Sequence, residues 1–150
     1  MFISDAHYGR TTEIFDLDKN IINKYSPEEF ETRMWNLLEQ LEDDRKFSMY
    51  NKLRIIDCGD SVEGILRTGS SLLNLKYGTI DSAIKYAEFI STWICACGAR
   101  LGVPIEYSLA GGNHDLLRVL DSKPQFEEEN IAKFIVKFVE ERVQKEYLQH

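Results

Sequence analysis

Long apolar runs, a disulfide framework and an excess of positive charge are all missing from this 150-residue sequence. No apolar stretch approaches the ~18 residues that a membrane-spanning helix needs, so we expect no membrane partner. The three cysteines, Cys58, Cys95 and Cys97, are an odd number without framework spacing, which disfavours a disulfide-stapled fold. Lysine and arginine number 18 against 25 acidic residues, and the net charge of −7 disfavours general binding to nucleic acid.

Linkers and several catalytic motifs are absent as well. The chain has only three prolines and no Pro/Gly/Ser-rich stretch, which predicts one domain over residues 1–150. It does not open with a charged and then apolar leader, so a cytoplasmic location is expected. Neither Gly-x-Ser-x-Gly nor a Cys/His nucleophile pair occurs, so covalent acyl chemistry has no support. The glycine-containing stretch 64–71 lacks the Gly-Lys-Ser/Thr ending of a P-loop.

Three strand-like runs alternate with three helical patterns. The strands are predicted at 1–4, 53–58 and 105–110, and the helices at 27–47, 79–97 and 127–148. Ser26 is a candidate N-cap of the first helix, Gly98 is expected to end the second, and Glu127, Glu128 and Glu129 suit the start of the third. The alternation predicts an α/β fold of layered βαβ units with a parallel sheet.

The unusual polar residues follow the three predicted strands, where parallel α/β sheets bind ligands. They are Asp5 and His7 after the first strand, Gly59 and Asp60 after the second, and Gly112, Asn113, His114 and Asp115 after the third. Carboxylate, amide and imidazole groups suit divalent ions such as Mn²⁺, Fe²⁺ or Zn²⁺. One central carboxylate can bridge two ions about 3.5–4 Å apart, and Asp60 is the candidate for that position.

Taken singly, these patterns have ordinary alternatives. Asp5 and His7 could be a loop-capping carboxylate beside a surface histidine, and a Gly-Asp pair is a common turn. Arg10 and Arg67 could contact a phosphate or lie in exposed loops. Glu63, three residues after Asp60, could hydrogen-bond to a metal-binding side chain without binding the metal itself. The helical Cys95 and Cys97 are interpreted as small apolar residues, and Trp35 and Trp93 as core packing.

In this order and at these spacings, the motifs resemble the calcineurin-like metallophosphoesterase superfamily. Its pattern is D-x-H, then G-D, then G-N-H-D or G-N-H-E, followed by a lone His and G-H-x-H. The long helical insert between the second and third motifs is most similar to phage and prophage phosphoesterases described as DNA-repair-exonuclease-like. The resemblance covers nearly the whole chain but only the front half of the family's four-layer sandwich.

The resemblance implies a hydrolase that cleaves phosphomonoesters or phosphodiesters with a hydroxide activated by two divalent ions. Mn²⁺ is the first choice, with Fe²⁺, Zn²⁺ and Mg²⁺ as alternatives. The implied metal ligands are Asp5, His7, Asp60 and Asn113. His114 would protonate the leaving oxygen, with Asp115 orienting its ring, while Arg10 and Arg67 would contact the substrate.

The sequence also departs from the family pattern. After Asp115 the next histidine is His150, and no Gly-His-x-His occurs. A second ion would therefore keep only Asp60 and Asn113, which is too few for a tight site. We expect a truncated domain with an uncovered apolar sheet face, completed by self-association or by a complementary C-terminal half. The alternatives are an inactive remnant that acts as a binding module, or a DNA exonuclease or endonuclease in its full-length form.

Overall fold

A small parallel sheet with helices packed against it forms the centre of the molecule. The computed structural model describes residues 1–63, 74–116 and 130–147. The sheet contains β1 (Phe2–Ile3), β4 (Leu53–Asp57) and β5 (Ile105–Leu109) in the order β1-β4-β5, and β2 (Thr12–Phe15) pairs separately with β3 (Ile21–Tyr25). The helices are α1 (Pro27–Arg45), α2 (Thr79–Leu101) and α3 (Ile131–Tyr147). The predicted α/β fold with a parallel sheet is confirmed.

The central strand β4 sets the position of the loops that follow the three parallel strands. Both of its neighbours run parallel to it, with Phe2 opposite Ile56 on one side and Leu53 opposite Ile105 on the other. All three carboxyl ends therefore lie at one edge of the sheet. The three motif-bearing loops leave from that edge, as the strand predictions require.

Burial alternates along β4 and separates the two faces of the sheet. Leu53, Ile55 and Asp57 are buried, whereas Arg54 is exposed. On the face opposite the buried residues, Phe2 is 73% exposed and Arg54 lies 3.2 Å from the Glu106 carboxylate. The described part of the chain thus leaves one sheet face open, although it carries charge as well as apolar surface.

The helical core is built around α2. Tyr86, Ile90 and Trp93 on this helix are fully buried. The Trp93 indole donates a 2.8 Å hydrogen bond to the carbonyl oxygen of Met34 in α1, which satisfies its only polar atom and joins the two helices. The interpretation of Trp93 as a core residue is confirmed. Cys97 is also fully buried, as its interpretation as a small apolar residue requires.

Local sequence signals predicted the start of α1 correctly but not the end of α2. Ser26 caps α1 as predicted, because its hydroxyl accepts from the Glu29 amide at 3.2 Å. The predicted end of the second helix at residue 97 is wrong. The helix continues through Gly98 because Leu101 is buried, and it ends at Gly102, which adopts the left-handed φ of 64° typical of a C-cap. Glu127, Glu128 and Glu129 lie outside the described residues.

The sequence analysis missed the β2–β3 hairpin. Its turn is organised by Asp16, whose carboxylate accepts from the amides of Asp18 and Asn20 and from the Asn20 side chain at 2.8–3.0 Å. The β-branched residues of β3 and this Asx turn were available signals. The Tyr25 hydroxyl donates to the carbonyl of Ala6, so the hairpin is attached to the loop that follows β1. In the part of the chain that the structure describes, no helix combines the length and apolarity needed to cross a bilayer.

Candidate metal centre

The loop after β1 runs alongside the loop after β4 and continues their parallel pairing beyond the strands. Its amides donate to carbonyl oxygens of the second loop at 2.9–3.1 Å, in the pairs Asp5 to Gly59, His7 to Asp60 and Tyr8 to Ser61. Such pairing fixes the relative height of the two loops residue by residue. Asp5 and His7 are therefore held beside Asp60 by backbone hydrogen bonds.

Three predicted ligands have an unusual backbone conformation. Asp5, His7 and Asp60 have φ values of 53°, 40° and 53°, in the left-handed region that residues with a side chain rarely adopt. Such conformations cost on the order of 1–3 kcal/mol each and persist only where the surrounding structure enforces them. Their concentration at one sheet edge makes this edge a candidate functional site.

The loops after β4 and β5 approach each other so closely that only glycine fits between them. A Cβ atom on Gly59 would collide with the backbone nitrogen of Gly112, and one on Gly112 would collide with the backbone nitrogen of Asp60. Gly59 also has a φ of 96°, which favours glycine by itself. The glycines of the Gly-Asp and Gly-Asn-His-Asp motifs thus permit backbone contact between the two loops.

Asp115 holds these two loops together. Its carboxylate is fully buried and accepts four backbone N–H groups at 2.8–3.3 Å, from Asp60, Ser61, Val62 and Gly112. Each oxygen accepts two of them, so the acceptor positions of the carboxylate are filled. The expected role of Asp115 as the group that orients the His114 ring does not agree with this geometry.

Asp5, His7 and Asp60 form one cluster of candidate ligands. One ligand atom from each lies within 4.8 Å of those from the other two, and His7 Nε2 is 3.8 Å from Asp5 Oδ1. Asp60 Oδ1 also accepts the backbone N–H of His114 at 2.7 Å, which places Asp60 between the first and third loops. Asn113, the remaining predicted ligand, is exposed in the third loop directly before His114.

A second cluster lies deeper and contains a residue whose importance the sequence analysis underestimated. Glu63 is 3% exposed, with Oε2 2.8 Å from His7 Nδ1 and Oε1 3.6 Å from His114 Nδ1. The two imidazole rings meet edge to face with centroids 4.5 Å apart. The carboxylate beside His114 is therefore that of Glu63. Its position three residues after Asp60 was the only available signal, because the contact depends on how the loops pair.

Two arginines, Arg10 and Arg67, were predicted to contact the substrate. Arg10 is about half exposed, and its Nη1 lies 3.7 Å from Glu63 Oε2, so its guanidinium borders the second cluster and remains open to solvent. Arg67 lies outside the described residues. Arg10 is thus the predicted phosphate contact that the described chain places near His7 and Glu63.

The donor atoms fit one divalent cation. Two carboxylates and an imidazole, from Asp5, His7 and Asp60, are a ligand set that Mn²⁺, Fe²⁺ and Zn²⁺ accept. In the second cluster, His7 Nδ1, Glu63 Oε2 and His114 Nδ1 are buried without an aligned hydrogen-bond partner in the described structure, although His7 Nδ1 and Glu63 Oε2 lie 2.8 Å apart. A second cation would have only Asp60 and Asn113 among the described residues, so the fit to a tight dinuclear site is incomplete.

Asp57 supports this edge of the sheet from below. Its buried carboxylate accepts from the hydroxyls of Tyr86 and Tyr107 at 2.5 and 3.1 Å and from the Gly59 amide at 3.1 Å. Burial raises the pKa of Asp57 above its ordinary value and the charge of Asp115 adds to the rise, although the three hydrogen bonds oppose it. Burial likewise raises the pKa of both tyrosines.

Asp57→Asn is expected to remove a pH-dependent loss of stability. Because the pKa of Asp57 is raised on folding, its contribution to stability is complete below the ordinary carboxyl pKa and is lost as the pH rises through the raised value. Urea unfolding of both proteins at a series of pH values from about 4 upward, in EDTA, checks this. The free energy of unfolding of the variant should increase relative to wild type as the pH rises. A constant difference would contradict the prediction.

The comparisons with known proteins identify no established function. No family model matches the chain. The chain is 26% identical over 137 residues to the SPbeta prophage-derived uncharacterized protein YonJ of Bacillus subtilis (strain 168). The alignment covers 90% of this chain and 32% of that protein, so the chain spans about a third of the relative's length. The similarity connects the chain to a prophage protein and leaves its chemistry to be inferred from the site.

Proposed function

We propose that this chain forms the cation-binding part of a metal-dependent phosphoesterase that hydrolyses phosphomonoesters or phosphodiesters. The observation that carries the proposal is the convergence of Asp5, His7 and Asp60 within 4.8 Å, with the His114 ring against His7. These residues come from three loops at one sheet edge, and all four belong to the three motifs that resemble calcineurin-like metallophosphoesterases. A divalent cation held there would neutralise phosphate charge and favour attack of water on phosphorus.

Each residue of the candidate site has a separate role in this proposal. Asp5, His7 and Asp60 hold the cation, and Asn113, exposed in the third loop, would contribute a ligand to a second one. His114, whose side chain is 17% exposed, has access to a substrate and supplies a proton to the leaving oxygen. Arg10 binds a phosphate oxygen from the solvent side. In this proposal the cation held by Asp5, His7 and Asp60 supports hydrolysis by this chain, and a second cation would need ligands beyond Asp60 and Asn113.

The proposal is tested by hydrolysis of bis-p-nitrophenyl phosphate and p-nitrophenyl phosphate with and without Mn²⁺. Asp60→Asn keeps an oxygen to accept the His114 amide but removes the negative charge that holds the cation. Because a bound cation contributes several kcal/mol of charge stabilisation, we expect kcat/KM to fall by at least about 100-fold. Asp18→Asn, at an exposed hairpin position, is the matched control and should retain wild-type activity.

Two results would overturn the assignment. One is turnover that survives both EDTA and Asp60→Asn, which would indicate a contaminating hydrolase. The other is a folded wild-type chain that binds Mn²⁺ without hydrolysing either ester, which would favour the alternative of a binding module. Adding a DNA substrate to the same assay tests the nuclease alternative.

A further inference from the structure

Glu63 lies where a single carboxylate can act on both histidines of the site. It is 3% exposed, and its two oxygens face different rings, with Oε2 toward His7 Nδ1 at 2.8 Å and Oε1 toward His114 Nδ1 at 3.6 Å. The His7 Nδ1 and Glu63 Oε2 atoms are within hydrogen-bond distance, but neither has an aligned partner in the described structure. The terminal torsions of both side chains are soft, so rotation about them can bring donor and acceptor into line.

The proton of a neutral His7 imidazole can lie on Nδ1 or on Nε2, and these two nitrogens have different neighbours. Nδ1 faces the buried carboxylate of Glu63, which accepts hydrogen bonds and cannot donate when ionised. Nε2 faces Asp5 Oδ1 at 3.8 Å, on the side of the Asp5, His7 and Asp60 cluster. A neutral imidazole with its proton on Nδ1 therefore presents an unprotonated Nε2 to that cluster, and only an unprotonated nitrogen can bind a cation.

We propose that Glu63 is a positioning residue that holds the proton of His7 on Nδ1 and so keeps Nε2 free for the cation. This inference rests on the proposed function only insofar as His7 is a cation ligand. Because Oε1 of the same carboxylate faces His114, displacement of Glu63 disturbs both rings together. Arg10, with Nη1 3.7 Å from Oε2, forms an ion pair that helps to keep the carboxylate in place.

The competing arrangement places the cation between Nδ1 of His7, Glu63 and Nδ1 of His114. Those three residues also offer ligand atoms within 4.8 Å of one another. The two arrangements use opposite nitrogens of the His7 ring. They therefore differ in an observable that does not involve substrate or turnover.

The test is ¹⁵N NMR of the histidine side chains in metal-free protein, well above the ordinary imidazole pKa, followed by titration with diamagnetic Zn²⁺. The chain contains three histidines, so His150→Gln and His114→Gln variants assign the His7 signals. We expect wild-type His7 to carry its proton on Nδ1, and Zn²⁺ to shift the Nε2 resonance. A proton on Nε2, or Zn²⁺ bound through Nδ1, would overturn the proposal.

Substitutions of Glu63 separate positioning from general structural support. Glu63→Leu should give a mixture of His7 tautomers and weaken Zn²⁺ binding by about 10- to 100-fold, the usual effect of losing a carboxylate behind a metal-binding histidine. Glu63→Gln keeps an acceptor oxygen and should restore the Nδ1-protonated form. Glu31→Gln, which removes the carboxylate that accepts from Tyr8, is the control and should change neither quantity. An unchanged tautomer in Glu63→Leu would refute the inference.

The spectrum and the hydrolysis assay can fail separately. A correct tautomer with no hydrolysis would leave the role of Glu63 standing and contradict the phosphoesterase proposal. An active enzyme in which His7 carries its proton on Nε2 would refute the role of Glu63 and leave the phosphoesterase proposal standing.

Discussion

Asp115→Ala is expected to lower the free energy of unfolding by about 3–5 kcal/mol. The substitution leaves four backbone N–H groups, those of Asp60, Ser61, Val62 and Gly112, without their acceptor. Each buried unsatisfied donor costs on the order of 1–3 kcal/mol, and entry of water would recover part of this sum. An effect of this size is a large fraction of the stability of a small domain.

Urea denaturation followed by circular dichroism in EDTA measures the effect without contributions from a bound cation. Asp115→Asn retains one acceptor oxygen and should lie between wild type and the alanine variant. Asp18→Ala, in the exposed hairpin turn, controls for loss of an acidic residue and should change stability by no more than about 0.5 kcal/mol. A loss below about 1 kcal/mol for Asp115→Ala would contradict the conclusion that Asp115 holds the loops after β4 and β5 together.

His114→Ala is expected to reduce kcat by about 10²- to 10⁴-fold for an ester with a poor leaving group, the usual range for loss of a general acid. For a p-nitrophenyl ester the reduction should be much smaller, because p-nitrophenolate leaves readily without a proton. The comparison of bis-p-nitrophenyl phosphate with diphenyl phosphate, in wild type and variant, provides the measurement. A difference between the leaving groups is specific to proton donation and does not follow from a general loss of structure.

Cation affinity supplies the control for His114. If His114 donates a proton and does not bind the cation, His114→Ala should retain the Mn²⁺ affinity of the wild type. A parallel loss of Mn²⁺ binding and activity would instead make His114 a ligand, together with His7 and Glu63. Equal reductions for both esters would also contradict the role of general acid.

The sequence sufficed to predict that the three motif-bearing loops converge at one edge of the sheet. Short β-prone runs that end in Gly-Asp or Gly-Asn-His-Asp are local features, and parallel pairing then brings the three loops to one edge. The ends of helices were less predictable, because the burial of Leu101 outweighed the local effect of Gly98 on α2. The hairpin was missed even though Asp16 marks its turn.

The roles of individual carboxylates were not predictable from spacing. Asp115 directly follows His114 in sequence, yet its oxygens accept amides from the loop after β4. Glu63 lies in that same loop, yet its oxygens face histidines from the two neighbouring loops. These assignments depend on which loops touch, and therefore on long-range packing that no local pattern encodes.

The position of Asp115 between the loops after β4 and β5 bears on ligand binding. Because a buried carboxylate joins two of the three loops through their amides, the donor atoms on those loops are in place as soon as the chain is folded. Under the proposed function, an incoming ion would not have to order these two loops, so little of its binding free energy would be consumed by loss of conformational entropy. If the proposed cation binds at this edge, it would therefore meet ligands that the folded chain already holds in position.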